Sequence, residues 1–387
     1  PKTPTAYAGD YLEVKRAEVL GTHTFRVTYR KPFAPGLSTW GNLVVLPKHK
    51  LAGQDITKSM LTRAPIGTGP YQFKQWLTQE KIVLESNHDY FEGRPYIDGY
   101  IYRIIPDPAT MFLELRAFRK YKYLPFSYTY LGYNLLSPLF QDKRVRQAIS
   151  YAIDKEEIIK VVLLGLGEIS TGPYKPGTWY YNPHVKRYPY NPQRARELLR
   201  EAGWEDRDDD GILDRDGEPF EFTILLNWGN QSRLNSAEII QWRLGQIGIK
   251  VKLRVMEWAS FINEYIDKKR FEAIILGWST GIDPDQYDIW HSSKTDHKEL
   301  NFISYKNREV DELLEQARRV FDREERKKYY FRFQEILAEE QPYTFLFVPF
   351  ALPVIHARFR GIKPAPAGIS YNFIRWYVPT REQRVVR

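Results

Sequence analysis

The chain has 387 residues and carries 57 Lys and Arg against 48 Asp and Glu, a formal net charge of +9. At roughly 150 residues per domain the length predicts two or three domains, and 43% hydrophobic with 27% charged residues excludes wholesale disorder. Cysteine is absent, which removes disulfide scaffolds, thiolate zinc sites, iron–sulfur ligation and cysteine nucleophiles.

The opening PKTPTAYAGDYLEV is neither an initiator methionine nor an export signal and reads as a mature chain or an internal fragment. Residues 23–31 alternate in the manner of a half-buried strand, and the Gly/Pro turn after Ala64 runs into another. Lys81–Ser86 and Gly99–Ile105 are further strands, and Pro106–Pro108 stops the second and starts a helix toward Ala117. Tyr128–Leu135 is an aromatic strand. Asp142 and Asp154 then cap helices over Lys143–Ala152 and Lys155–Leu164, and Asn191-Pro192 opens one that Gly203 closes. The order strand Phe220–Leu226, helix Ser236–Ile247, strand Lys250–Val255, helix Ala259–Lys268, strand Phe271–Gly277 predicts an open α/β sheet with parallel neighbours. Two polar-faced helices follow, Val310–Arg319 and Arg323–Glu339, before a β-rich return over Leu346–Arg358. The longest apolar stretch, Tyr343–Ile355, is interrupted by Thr344, Pro349 and Pro353 and falls short of the roughly 20 residues of a spanning helix.

The positive excess is spread along the chain. Its densest cluster, Arg381, Arg384 and Arg387, comes with no stripe or motif for nucleic acid. The 58 aromatic residues (10 Trp, 27 Tyr, 21 Phe) are the abnormal feature, and a cleft around an organic ligand is one use for them. Trp228, Trp258 and Trp278 lie at or just past the ends of the three strands predicted between 220 and 277. Ligands of open α/β sheets collect beyond the carboxyl ends of the strands. The alternative is core packing under the loops.

Gly277-Trp278-Ser279-Thr280-Gly281 matches G-x-S-x-G, but a turn follows where a nucleophile elbow needs a helix, so the turn reading outweighs a serine hydrolase using Ser279. The seven histidines show no i,i+4 pair and no H-E-x-x-H, and Gly67-Thr68-Gly69-Pro70 lacks the phosphate-loop pattern. Asp206, Asp208 and Asp210 with Gly211 and the Ile212 carbonyl occupy calcium-loop positions 1, 3, 5, 6 and 7. Position 12 is Gly217, for which Asp214 or Asp216 substitutes in part. Structural Ca2+ and a solvated acidic turn both remain open, and no other cofactor is required.

The chain resembles the family 5 extracellular solute-binding proteins of ABC transporters, the oligopeptide- and dipeptide-binding group. The resemblance rests on Pro65–Tyr71 followed by Trp76, Asn87–Pro95, Tyr133-Asn134 with Asp142–Ile149 and Tyr151–Asp154, Ala195–Trp204, Gly277-Trp278 through Asp283-Pro284, and Asn301–Tyr305 with Asp311. It implies an α/β fold of the type II periplasmic-binding-protein kind, with mixed sheets, flanking helices, two lobes and a hinge. The implied spans are 1–129 for lobe I, 130–350 for an inserted α/β lobe and 351–387 for the return to lobe I. It implies no catalytic residue, capture of an oligopeptide between the lobes, delivery to permease subunits and a monomer. It also implies a periplasmic or extracellular location, with a lipid anchor in an N-terminal region absent from this chain. Relatives carry a longer N-terminal portion and continue for some tens of residues after the helix ending at Ala117, whereas here Ala117 runs straight into Phe118. The expected ligand contacts are Tyr130, Asn227, Trp228, Trp258, Trp278, Asp283 and Tyr287. Peptide binders of the family commonly place an aspartate a few residues after the tryptophan matching Trp278; here those positions are Ser279, Thr280 and Gly281. A binder of longer peptides with few side-chain anchors fits this pattern, with an oligosaccharide or metal-chelate binder as the rival on the same fold.

Overall fold

The computed structural model describes residues 6–78, 80–103, 118–365 and 368–383. The chain forms two compact units, Pro1–Gly41 with Phe126–Phe350 and Asn42–Pro125 with Ala351–Arg387. In the first, β1 (Val14–Gly21) and β2 (Thr24–Tyr29) make an antiparallel hairpin. In the second, β3 (Tyr71–Leu77), β4 (Lys81–Ser86) and β5 (Gly99–Arg103) form an antiparallel sheet, and β6 (Phe118–Lys120) pairs with the last strand, Val354–His356. Phe373 packs on Tyr71 and Tyr100, tying the end of the chain to that sheet.

The larger unit is built on a six-stranded mixed sheet. Its strands are β7 (Ser127–Tyr133), β8 (Gly167–Ile169), β11 (Glu221–Asn227), β12 (Lys250–Met256), β13 (Ala273–Ser279) and β14 (Tyr343–Pro349), in the order β12-β11-β13-β7-β14-β8. A two-residue ladder, β9 (Asp214–Arg215) with β10 (Glu218–Pro219), precedes β11. As the β-α-β-α-β pattern predicts, β11 runs parallel to both β12 and β13; β7 is antiparallel to β13 and to β14.

The longer helices are α1 (Lys143–Ala152), α2 (Lys155–Val161), α3 (Pro192–Glu201), α4 (Gln231–Gly245), α5 (Arg308–Arg319) and α6 (Arg323–Glu340). Each begins at an Asp or Asn whose side chain accepts from a backbone N–H of the first turn: Asp142, Asp154, Asn191, Asn230, Asn307 and Asp322. Such a cap contributes about 1 kcal/mol, which explains why helix starts were readable from the sequence. Gly203 takes the left-handed φ of +88° that ends α3.

One face of the sheet is mostly aliphatic. Leu131, Phe222, Ile224, Leu226, Ala273 and Ile275 pack beneath Val145 and Ile149 of α1, Leu198 and Leu199 of α3, and Ile240 and Leu244 of α4. The opposite face is aromatic: Tyr130 stacks on Tyr343 at 3.8 Å, and Phe345, Trp290 and Phe333 continue the layer.

Several expectations change. Helix α4 starts at Gln231, five residues earlier than the apolar spacing predicts, because Asn230 caps it. The expected helix over Ala259–Lys268 is a short α-turn, Trp258–Ser260, followed by a π-turn, Phe261–Ile266. Strand β1 was not anticipated, since its charged residues mask the alternation. The helix expected from Pro108 to Ala117 lies outside the described residues. The expected spans 1–129, 130–350 and 351–387 keep the break after Phe350, but residues 1–41 fall with the larger unit and the earlier break lies before Phe126. The reason is a contact distant in sequence: Arg318 of α5 pairs with Asp10 at 3.1 Å, and its carbonyl accepts from the Ala34 N–H.

Candidate functional site

Along β7 and β13 the paired side chains on the aliphatic face shrink toward one end. Tyr133 faces Ala273, Leu131 faces Ile275, Thr129 faces Gly277, and Ser127 faces Ser279. The first two pairs fill the core; the last two leave a hollow. A cavity of about 320 Å³ lies there, lined by Ser127, Thr129, Gly277, Trp278, Ser279 and Phe347 from the sheet and by Asn230, Ser232 and Arg233 from the start of α4. It sits at the carboxyl end of β13, the end at which open α/β sheets receive ligands.

The glycine is needed there. A Cβ at Gly277 would lie 3.0 Å from the Tyr128 carbonyl oxygen and 3.2 Å from Arg233 Nη2. Its absence lets the guanidinium lie across the strand. Arg233 Nη1 donates to Asn227 Oδ1 at 2.6 Å, and Asn227 Nδ2 donates to the Trp228 carbonyl at 3.1 Å, which fixes the amide's orientation. Among the described residues no carboxylate pairs with Arg233. Burial lowers its pKa from the ordinary arginine value, opposed only by the Tyr130 phenol, yet an arginine remains a cation. Its place in the first helical turn also sets it against the helix dipole, which disfavours positive charge there.

Tyr128, another lining residue, is 3% exposed, and its ring packs on Tyr130 and Phe345 in the aromatic layer; burial raises its pKa well above the usual phenol value, so it stays neutral. Trp278 is half-buried. Its Nε1 donates to the Tyr343 hydroxyl at 3.4 Å and its ring stacks on Phe302.

The other expected contacts separate. Asn227 reaches the site by holding Arg233. Trp228 and Trp258 are exposed at 77% and 49% at the carboxyl ends of β11 and β12, and neither lines the cavity. Tyr130 is completely buried in the aromatic layer, so its expected ligand contact gives way to packing. Asp283 is engaged by Arg326 at 3.2 Å, and Tyr287 is stacked between His291 and Arg318, so both are occupied by internal contacts. Sequence reasoning missed Arg233, Thr129 and Ser127. A cation in the first turn of a helix that follows a strand was an available signal, because it opposes the dipole without apparent reason.

Ser279 is the last residue of β13 and no helix follows it directly; no histidine lines the cavity. In the acidic loop, Asp206, Asp208 and Asp210 each offer an oxygen within 4.8 Å of the others, and all three are exposed. Asp206 accepts from the Gly211 N–H and Asp210 from the Ile212 N–H, while Asp214, the expected further ligand, pairs with Arg207 at 2.8 Å. Among the described residues no helix is long and apolar enough to cross a membrane.

Comparison with known proteins follows this geometry. The family profile described as "Bacterial extracellular solute-binding proteins, family 5 Middle" matches residues 1–120 and 116–299. The oligopeptide-binding protein AppA of Bacillus subtilis is 39% identical over 362 residues, covering 86% of this chain and 66% of that protein. The heme-binding protein A of Haemophilus influenzae is 27% identical, covering 92% and 68%. The chain thus spans about two thirds of the length of these curated relatives. Among solved structures, AppA of Bacillus subtilis in complex with a nonapeptide superposes with a TM-score of 0.86 at 35% identity, covering 96% of this chain and 79% of that one. NikZ of Campylobacter jejuni in complex with Ni(L-His) gives 0.84 at 27% identity, covering 96% and 80%. DppA of Helicobacter pylori in complex with the peptide STSA gives 0.82 at 28%, covering 98% and 76%. The mixed-sheet α/β fold of the type II periplasmic binding proteins, expected from the sequence, is the fold these likenesses show.

Proposed function

The chain belongs to the bacterial extracellular solute-binding proteins of family 5, and from that premise we propose that it captures oligopeptides outside the cytoplasm for delivery to the permease of an ABC importer. The observation that carries the reading is the cavity at the carboxyl end of β13. Its walls include hydroxyls that both donate and accept, Ser127, Thr129, Ser232 and Ser279, beside apolar and aromatic residues such as Trp278 and Phe347. A peptide main chain presents donors and acceptors in alternation, and such walls satisfy either. At about 320 Å³ the cavity takes one end or one side chain of an oligopeptide, not the whole. Ser279 has no histidine beside it among the lining residues, which favours capture over catalysis. The AppA and DppA structures are described with bound peptides, which agrees with this reading.

A metal chelate is the second reading, drawn from the likeness to the NikZ protein described with Ni(L-His). Native mass spectrometry of protein purified without refolding separates the two. A ladder of peptide masses is the expected result; a single metal-bearing adduct or a hexose-spaced series would overturn it. In this reading the protein acts as a monomer in the periplasm or at the cell exterior.

A further inference from the structure

We infer that Tyr174, Tyr180 and Arg326 are positioning residues of the ligand site, which hold the loop Thr280–Asp285 in one shape before a ligand arrives; this rests on the peptide reading above. The loop runs on directly from Trp278 and Ser279, two lining residues of the cavity. Ile282 is 66% exposed, so the loop lies at the surface, where water is at hand for the main chain. Here side chains take that part instead. The Tyr180 hydroxyl donates to the Ile282 carbonyl at 3.1 Å, and the Tyr174 hydroxyl donates to the Pro284 carbonyl at 2.7 Å. Between them Arg326 Nη2 donates to Asp283 Oδ1 at 3.2 Å, and the same oxygen accepts from the Asp285 N–H at 3.0 Å. The two ends are closed as well. The Thr280 N–H donates to the Phe126 carbonyl at 2.8 Å, and Arg318 grips both oxygens of Asp285.

These donors share one support, the buried face of α6. Tyr174 and Tyr180 belong to an irregular stretch, yet both are buried, with rings edge-on to each other and to Tyr330 of α6. Gln334 lies eight residues after Arg326, on the same face of the helix. It donates to the Tyr180 carbonyl at 2.8 Å and accepts from the Asn182 N–H at 3.0 Å, so the irregular stretch is itself fixed. Arg326 Nη2 also donates to the Tyr330 hydroxyl at 2.9 Å, which sets the guanidinium's aim. Phenylalanine would fill the same space as either tyrosine, so what the two hydroxyls add is their hold on the loop. A loop ordered in advance spares the ligand the entropy of ordering it, and it keeps the strand end that carries Trp278 and Ser279 from fraying.

The test compares the full chain with the double variant Tyr174→Phe, Tyr180→Phe, which keeps both rings and removes both hydroxyls. Tyr188→Phe is the matched control: its buried hydroxyl also donates to a carbonyl, that of Ala338 in α6 at 2.8 Å, and does not touch the loop. Amide hydrogen exchange without ligand reads the clamp. Exchange over residues 280–287 should quicken roughly 10-fold or more in the double variant and stay at the wild-type rate in Tyr188→Phe. Calorimetric titration reads the consequence, with the peptide that native mass spectrometry finds bound, or with pentaalanine if none co-purifies. Affinity should fall roughly 5- to 20-fold in the double variant, as two lost hydrogen bonds predict, and hold in Tyr188→Phe. A merely structural role would lower the melting temperature in all these variants and leave affinity alike. Unchanged loop exchange in the double variant, or faster exchange with unchanged affinity, overturns the inference and leaves peptide capture standing. If the wild type binds neither a co-purified peptide nor pentaalanine, the functional reading falls and the positioning role falls with it.

Discussion

The two faces of the six-stranded sheet do different work with the same backbone. On the aliphatic face, side-chain size falls from Tyr133 and Leu131 to Thr129 and Ser127, and the layer opens into a cavity with an unpaired arginine. On the aromatic face the layer stays full, and its polar tips turn on one another, as the Trp278 indole does on the Tyr343 hydroxyl. Alternation along a strand assigns residues to faces, but it does not say which face is hollow. Large side chains mark where the protein is solid, and here it is small ones that mark where it receives something.

The largest effect should come from breaking the solid face. Trp290 is fully buried and packs 4.6 Å from Tyr343, so Trp290→Ala should cost about 3–5 kcal/mol of stability, read from denaturant midpoints. A loss under about 1 kcal/mol would mean that the aromatic layer is loosely packed. Trp278 joins the two faces, since it lines the cavity and stacks on Phe302. Trp278→Ala should therefore cost roughly 2 kcal/mol or more of peptide affinity, with a smaller loss of stability than Trp290→Ala. Unchanged affinity with a core-sized loss of stability would move Trp278 wholly into the packing. Tyr130→Phe removes only a buried hydroxyl that faces that of Tyr343. It should cost no more than about 1 kcal/mol of stability and leave peptide titrations unaltered, whereas weakened binding would restore Tyr130 as a ligand contact.

The smallest effect concerns the charges behind the aromatic face. Asp10 meets Asp285, Asp288, Arg318 and Lys294, and burial, with Asp288 adding to it, raises its carboxyl to about 6. A carboxyl raised on folding binds its proton more tightly in the native state. Its contribution is fully present below the unfolded value near 3.8 and is lost as pH rises through about 6. Asp10→Asn cannot titrate, so its urea midpoint should gain on that of the wild type between pH 4 and pH 7. Parallel curves across that window would show that Arg318 compensates the burial completely.

Much of the fold was legible because its signals are local. Asp142 and Asn191-Pro192 announced helices within a residue of their observed starts, and the strands at Lys81–Ser86 and Lys250–Met256 followed from alternation and composition. The parallel order of β11, β12 and β13 followed from the alternation of strand and helix. What failed was non-local. The place of residues 1–41 depended on Arg318, some 300 positions away, and the fate of Tyr130, Asp283 and Tyr287 depended on partners from other elements.

The candidate site divides in the same way. By itself the sequence determined the family, through motifs spread along the chain in order, and with it the class of fold. It also placed Trp278 at a strand end, because strand ends are set by neighbouring residues. Only the tertiary structure decided that Trp228 and Trp258 stay exposed, that Gly277 leaves room for a guanidinium, and that Arg233 reaches the cavity without a carboxylate beside it. Those facts turn on which side chains meet across β7, β13 and the first turn of α4, residues more than a hundred positions apart in part. No window of sequence contains the absence of a counter-charge; it exists only once the chain has folded and every neighbour of the arginine is in place.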